Sequence, residues 1–145
     1  MDRNVYDKKS SPCICLNVRR ASNAITEFYD EFLEPSGLKL GQFSLLKHIN
    51  LNEPVSVSNL AVRIRLDRTT LVRNLKPLEE RGLVTDIAVE GTRNRQLILT
   101  GKGISTYQSA DELWTKAQSF IEEYLGKDKI VIFTELLSKI EVLVP

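Results

Sequence analysis

The 145-residue sequence predicts a mainly α-helical fold with one small β-hairpin, in the order α-α-α-α-β-β-α-α. Apolar residues recur at spacings of three and four along most of the chain, which is the period of an amphipathic helix. Near residue 90, two short β-prone runs flank a glycine-containing turn, as in a hairpin. A hydrophobic share of 42 % is enough for a modest core.

The first helix is expected to begin at Ser11 and Pro12, because serine favours the N-cap and proline favours the first helical position. Its apolar stripe runs from Ile14 to Phe32. It should end before Pro35-Ser36-Gly37, since proline and glycine interrupt helices. The first helix therefore occupies about residues 11–34.

Two short helices are expected next. The second covers about residues 41–51 and ends at Asn52-Glu53-Pro54. Ser56 can cap a third helix over residues 57–63. The apolar residues that these two helices should turn inward are Phe43, Leu46, Ile49, Leu60, Ala61 and Ile64.

The fourth helix is the most strongly patterned segment of the chain. Asp67 is a good N-cap, since its carboxylate can accept from the N–H groups of Thr69 or Thr70. At about 100° per residue, Leu71, Leu75 and Leu78 fall on one side of the helix and Thr69, Arg73 and Lys76 on the other. Pro77 lies in its interior, and Gly82 is a suitable residue to end it.

The hairpin strands are expected over residues 83–89 and 96–99, joined by a turn at residues 90–95. Thr100 should then cap a long fifth helix that ends at Gly126. At about 24 residues, that helix spans roughly 36 Å. Asp128 is expected to cap a last, strongly apolar helix.

Positive charge is concentrated on one segment. The formal net charge is only +1, but residues 63–81 hold six basic and three acidic residues. A helix, a short turn, a second helix with a basic outer face and a hairpin together form the winged helix-turn-helix pattern. The pattern predicts that the fourth helix enters the major groove of double-stranded DNA.

The predicted DNA contacts combine three kinds of chemistry. Arginine can hold guanine edges through two donors, threonine can bond a phosphate or touch a thymine methyl, and lysine can neutralise a phosphate. An isolated charged helix face could equally be only a solvated surface. The candidate DNA-contacting residues are Ser56, Arg65, Arg68, Thr69, Thr70, Arg73, Lys76, Arg93 and Arg95.

The run from Leu60 to Val84, followed by Leu99-Thr100 and Gly103, resembles the multiple-antibiotic-resistance regulator (MarR) family, as do the shorter stretches PSGL, QFSLL and RNRQLILTGKG. The resemblance implies a homodimeric regulator, expected to repress a pseudo-palindromic operator. It also implies that the helices of about residues 11–34 and 101–145 dimerise, that the lobe of about residues 39–100 binds DNA, and that Arg93 reaches the minor groove. A small aromatic or phenolic ligand often releases such proteins from DNA.

Two positions depart from the family pattern. Gly91 stands where family wings often carry an aspartate, so Arg93 should lack that orienting partner. Arg65 stands in the turn between the third and fourth helices, where glycine is common. A left-handed backbone at Arg65 would cost roughly 1 kcal/mol.

The sequence around Cys13 and Cys15 also resembles the organic-hydroperoxide-sensing branch of the family. Both cysteines fall near the start of the first helix, where free N–H groups and the helix dipole favour negative charge. By resemblance, Cys15 would be the reactive cysteine and Tyr29 a donor to its sulfur, while a second tyrosine of that branch falls at Leu40. Two interpretations remain, a peroxide sensor or two small apolar thiols at a dimer interface.

Other classes of function find little support. No nucleophile–base pair is legible, His48 is the only histidine, and two cysteines one residue apart are not a metal site. We expect no enzyme activity, no cofactor and no metal. Without a cleavable leader or an apolar run near 18 residues, we expect a cytoplasmic protein that does not enter a membrane. The alternative function is a winged-helix protein-interaction module that does not bind DNA.

Overall fold

The computed structural model describes residues 8–91 and 94–145. Within these ranges the chain forms helices and one antiparallel two-stranded sheet in the predicted order, so the predicted fold class is confirmed. The elements are α1 (Ile14–Leu33), a 3₁₀ turn (Glu34–Ser36), α2 (Leu40–Asn52), α3 (Val57–Ile64), α4 (Arg68–Glu80), β1 (Val84–Asp86), β2 (Leu97–Leu99), α5 (Gly101–Leu125) and α6 (Lys127–Glu141).

The hydrophobic core lies between α2, α3, α4 and the hairpin, and we call this unit the winged lobe. The end of α1 and the first half of α5 complete the core through Leu33 and Ala110. The inward positions predicted on α2 and α4 are confirmed, since all of them are almost completely buried. These residues are Phe43, Leu46, Ile49, Leu71, Leu75 and Leu78.

Two side-chain caps fix the directions of α3 and α4. The Ser56 hydroxyl accepts from the Asn59 N–H at 3.1 Å, and the Asp67 carboxylate accepts from the Thr70 N–H at 2.8 Å. Between them, Arg65 has φ of +58°, a left-handed conformation that a non-glycine residue adopts at a cost of about 1 kcal/mol. Both predicted caps are therefore confirmed, and the turn between α3 and α4 is left-handed at Arg65.

The hairpin strands are shorter than predicted. They pair only from Val84 with Leu99 to Asp86 with Leu97. Beyond this ladder one backbone bond remains among the described residues, from the Ile87 N–H to the Gln96 carbonyl at 2.8 Å, and the Asp86 carboxylate accepts from the N–H groups of Ala88 and Gln96 at 2.8 and 2.9 Å. Leu97 also exchanges two backbone hydrogen bonds with Val55, which ties the wing to the start of α3.

Two predicted helix caps are wrong. The N-cap of α1 is Cys13, because Ser11 bonds elsewhere: its hydroxyl accepts from the Cys13 N–H at 3.0 Å, and its backbone bonds the Asn17 side chain. The N-cap of α6 is Gly126, whose positive φ of +97° makes the sharp turn after α5. Asp128 instead lies in the first turn of α6, where its negative charge interacts favourably with the helix dipole.

The two C-terminal helices differ in burial. The start of α5 packs so closely on the chain before β1 that a Cβ at Gly103 would lie 2.0 Å from the Leu83 carbonyl oxygen. In contrast, α6 has no buried residue. Among the described residues, no helix combines the length and apolarity needed to cross a bilayer.

Candidate nucleic-acid interface

The outer face of α4 is open to solvent and carries positive charge. Thr69, Arg73 and Lys76 are exposed, whereas Leu71 and Leu75 on the opposite side are completely buried. In the described part of the chain, neither Arg73 nor Lys76 takes part in an ion pair. Both side chains are therefore available to a polyanion.

Arg65, at the turn before α4, is exposed and forms an ion pair with Glu141 at the end of α6. Because 78 % of the Arg65 side chain and 58 % of the Glu141 side chain are accessible, solvent screens this pair strongly. Among the described residues, Arg68 has one long contact, 3.5 Å from its guanidinium to the Ser58 hydroxyl. Ser56, Arg65 and Arg68, which were predicted to contact DNA, thus lie at exposed or half-buried positions before α4 or at its first residue.

Thr70 serves the helix cap. Its hydroxyl donates to Asp67 at 2.7 Å, and its N–H donates to the same carboxylate. These two hydrogen bonds hold the pKa of Asp67 below its ordinary value. The Thr70 hydroxyl proton is therefore engaged in the helix cap, and the DNA contact of Thr70 stays a prediction.

Arg95 was predicted to contact DNA, but its guanidinium lies between α4 and the wing. It pairs with Glu79 of α4 and, at 3.2 Å, with Asp86 of β1. Partial burial works against its charge, and the bonds to Glu79 and Asp86 outweigh that effect and raise the pKa of Arg95. Arg95 therefore connects the wing to α4, and a DNA contact would require these pairs to break. Sequence reasoning missed this role because the three residues meet only in the folded chain.

The tip of the wing is partly outside the described residues. Arg93 falls there, so its minor-groove contact stays a prediction. Gly91 precedes it with φ of +89°, a conformation that L side chains rarely adopt. This backbone explains why glycine suits position 91, where the family pattern often has aspartate.

A polar recess of about 460 Å³ separates the start of α3 from the wing. The Val55–Leu97 bridge creates it by bringing two distant segments side by side. Its lining includes hydroxyl, amide and guanidinium groups that can donate to phosphate oxygens. Sequence reasoning found Ser56 among them but missed Ser58, Asn59, Arg63, Asn94 and Gln96.

The two cysteines are free and exposed at the start of α1. Cys13 precedes the helix with an extended backbone, while Cys15 is its second residue. Tyr29 lies 14 residues after Cys15, which corresponds to roughly 21 Å along a helix. Its hydroxyl donates to Gln118 at 2.5 Å, and burial together with the Glu122 charge raises the pKa of Tyr29. Within one chain, Tyr29 therefore lies too far from Cys15 to form the predicted hydrogen bond, and that prediction is wrong.

An apolar cavity of about 620 Å³ lies between α1, α5 and α6. Nearly all of its lining is carbon, and several of its aromatic residues are largely exposed, including Phe120 and Tyr124. The cavity continues onto the bare surface of α6 through Phe133. Together they form a large apolar surface outside the winged lobe.

Comparisons with known proteins agree with this architecture. A family model described as "MarR family" matches residues 36–93. The transcriptional regulator MosR of M. tuberculosis, solved in complex with DNA, is 34 % identical, with 90 % of this chain and 99 % of that chain covered and a TM-score of 0.71. The transcriptional repressor CouR, bound to a 23-mer DNA duplex, is 27 % identical over 89 % of this chain and 92 % of its own, with a TM-score of 0.80.

A curated relative gives a shorter match. The HTH-type transcriptional regulator SarZ of Staphylococcus saprophyticus is 32 % identical over 91 residues, and the match covers 62 % of each protein. The chain thus spans somewhat less than two thirds of that relative's length. A further structure of CouR, bound to p-coumaroyl-CoA, is 26 % identical over 91 % of this chain and 94 % of its own, with a TM-score of 0.82.

Proposed function

The chain belongs to the MarR family, and from that premise we propose that it is a DNA-binding transcription regulator that acts as a homodimeric repressor. The observation that carries the proposal is the outer face of α4, where Thr69, Arg73 and Lys76 are exposed and the two cations are not engaged in ion pairs within the described residues. The relatives named above are transcription regulators, and MosR and CouR were each solved with DNA.

In the proposed complex, α4 lies in the major groove with its leucine side on the lobe core. Arg73 donates to a guanine edge, Thr69 contacts a base or phosphate, and Lys76 neutralises a phosphate. Ser56 and the polar recess beside it receive the phosphate backbone, and Arg93 at the wing tip enters the minor groove. The pairs that Arg95 makes with Glu79 and Asp86 set the wing at a fixed angle to α4.

The homodimer follows from the apolar surface outside the lobe. Large exposed apolar surfaces mark interfaces, because water contact with them is unfavourable. We assign α1, α5 and α6 to dimerisation and residues 39–100 to DNA binding. A two-fold dimer presents two α4 helices, so its operator has two related half-sites about one helical turn apart.

A small effector is part of the proposal. CouR was solved with p-coumaroyl-CoA, an aromatic ligand, and an aromatic or phenolic molecule fits the apolar chemistry of the surface between α1 and α5. A second route is oxidation, favoured by the exposed thiols of Cys13 and Cys15. The Cys15 thiolate would attack an organic hydroperoxide, forming a sulfenic acid and releasing the alcohol after protonation.

The oxidation route is tested by treating the purified dimer with cumene hydroperoxide and measuring DNA affinity. We expect wild type to lose affinity and Cys15→Ser to keep it, with Cys13→Ser as the matched control. Loss of affinity in Cys15→Ser equal to that of wild type would exclude Cys15 as the sensor.

The DNA-binding function is tested by selecting duplexes from a random-sequence pool with the intact protein. We expect enrichment of a pseudo-palindrome whose binding weakens steeply with salt, because phosphate contacts release counterions. A dimer on gel filtration that enriches no sequence and shows no salt-dependent DNA binding would favour the protein-interaction module instead.

A further inference from the structure

An apolar side chain interrupts the polar outer face of α4. Val72 is 43 % exposed and lies at the flank of this face, about 60° around the helix axis from the buried Leu75 and about 60° from the exposed Thr69. Valine is a weaker helix former than alanine or lysine because its branched Cβ restricts χ1. Helix propensity does not account for valine at this position, and core packing covers only part of its side chain.

Val72 lies among the residues proposed to face DNA. At about 100° per residue, it points within about 40° of Lys76, 60° of Thr69 and 100° of Arg73 around the helix axis. Along the axis it lies in the first half of α4, one turn after Arg68 and one turn before Lys76. When α4 enters the groove, the two methyl groups of Val72 enter with it.

The major groove offers an apolar side chain one kind of apolar partner. Adenine, guanine and cytosine present donors and acceptors there, and only thymine presents a methyl group. A valine against the polar edge of another base would remove water from donors or acceptors without replacing their hydrogen bonds. The chemistry of the groove therefore pairs Val72 with thymine.

We propose that Val72 determines specificity by packing its methyl groups against the C5-methyl of one thymine in each half-site. The inference rests on the proposed function, in which α4 occupies the major groove. Arg73 and Lys76 supply polar and electrostatic contacts around it, and Val72 adds a preference for thymine at or next to the base pair that Arg73 meets.

The test replaces thymines of the selected operator one at a time by uracil, which lacks only the C5-methyl. Wild type should lose about fourfold in affinity at one thymine per half-site, which corresponds to the roughly 0.8 kcal/mol of one buried methyl group. Val72→Ala should bind the thymine and uracil operators equally at that position. The matched control is Val62→Ala on α3, an exposed valine outside the α4 face, which should keep the full uracil penalty.

The outcomes separate this inference from the function on which it rests. A selected operator with no uracil-sensitive thymine, or with the same uracil penalty in Val72→Ala as in wild type, overturns the role of Val72 and leaves the DNA-binding function standing. Failure to select any operator overturns both.

Discussion

The core leucines of the winged lobe are buried, whereas the leucines of α6 are exposed. Leu46 in the lobe is completely buried, whereas Leu136 in α6 is 52 % exposed. The apolar residues of the lobe are buried by contacts within one chain, between α2, α4 and the hairpin. The last helix has no buried residue of its own. The difference agrees with the proposed division of the chain, in which one chain completes the winged lobe and a second copy covers α6.

Arginines in the lobe divide in a similar way. Arg95 is held between Glu79 and Asp86, while Arg73 projects from α4 without an ion pair in the part of the chain that the structure describes. Exposure and pairing thus distinguish an arginine that builds the lobe from one that is available to a ligand. Charge counts along the sequence could not make this distinction.

Removing α6 should have the largest effect on DNA binding. A chain truncated after Gly126 should be monomeric and should lose roughly 10²–10⁴-fold in operator affinity, because the two half-sites are no longer bound by one linked unit. Sedimentation equilibrium and fluorescence anisotropy measure the two effects. A folded truncated monomer that binds the full operator as tightly as wild type would refute the dimer proposal.

Since truncation could also cause aggregation, a point variant provides an independent check. Leu136→Glu places a charge on the apolar surface of α6 and should weaken the dimer, whereas Glu135→Gln on the same helix should not. Far-UV circular dichroism should show the winged lobe intact in both variants.

Leu46→Ala and Leu136→Ala test the two regions with one substitution. Leu46→Ala should lower the free energy of unfolding by about 2–5 kcal/mol because it leaves a cavity in the core. Leu136→Ala should act through the dimer, so its effect on urea denaturation should depend on protein concentration. If Leu136→Ala proved as costly in a monomer as Leu46→Ala, α6 would have to be packed within its own chain.

The sequence predicted the winged lobe well because its signals are local. Asp67, the leucine spacing and Gly82 defined α4, and Ser56 defined the start of α3. Each of these residues determines structure only a few positions away along the chain, through a side-chain cap or through the helical period. The predicted caps at Ser11 and Asp128 failed because nearby groups compete: Asn17 and Cys13 bond Ser11, and Gly126 makes the turn that Asp128 was expected to begin.

The parts that the sequence did not predict depend on distant residues. The Val55–Leu97 bridge joins segments 42 positions apart, and it created the polar recess beside α3. Arg95 was predicted to contact DNA because its distance from Glu79 could not be inferred from composition or period. Val72 carries neither a charge nor a hydrogen-bonding group, so the sequence pattern alone predicted no DNA contact for it.

Arg95 and Arg93 offer a smaller and sharper comparison inside the lobe. Arg95→Gln should lower affinity several-fold by loosening the wing, with the log–log salt slope unchanged, since Arg95 is already paired. Arg93→Ala should reduce that slope by about one, because it removes a cation from the DNA contact. Salt titrations of DNA binding by both variants show which of the two arginines contacts DNA. A reduced slope in Arg95→Gln would assign Arg95 to the DNA contact after all.

The smallest expected effect concerns the contact that joins the two regions. Glu141→Gln should release Arg65 and raise DNA affinity by no more than about 1 kcal/mol, the range of an exposed ion pair. Glu135 forms no ion pair among the described residues, so Glu135→Gln should change affinity less. Lower affinity in Glu141→Gln would indicate that the pair orients Arg65 for DNA instead of withholding it.

The central claim, that the outer face of α4 recognises base pairs, is tested most directly by the affinity of Arg73→Ala for the selected operator and for a random duplex of the same length. We predict a loss of about 1–3 kcal/mol on the operator and a much smaller loss on the random duplex, because a base contact is lost only where the base is present. Equal losses on both duplexes would contradict the claim, since they would reduce Arg73 to a phosphate contact.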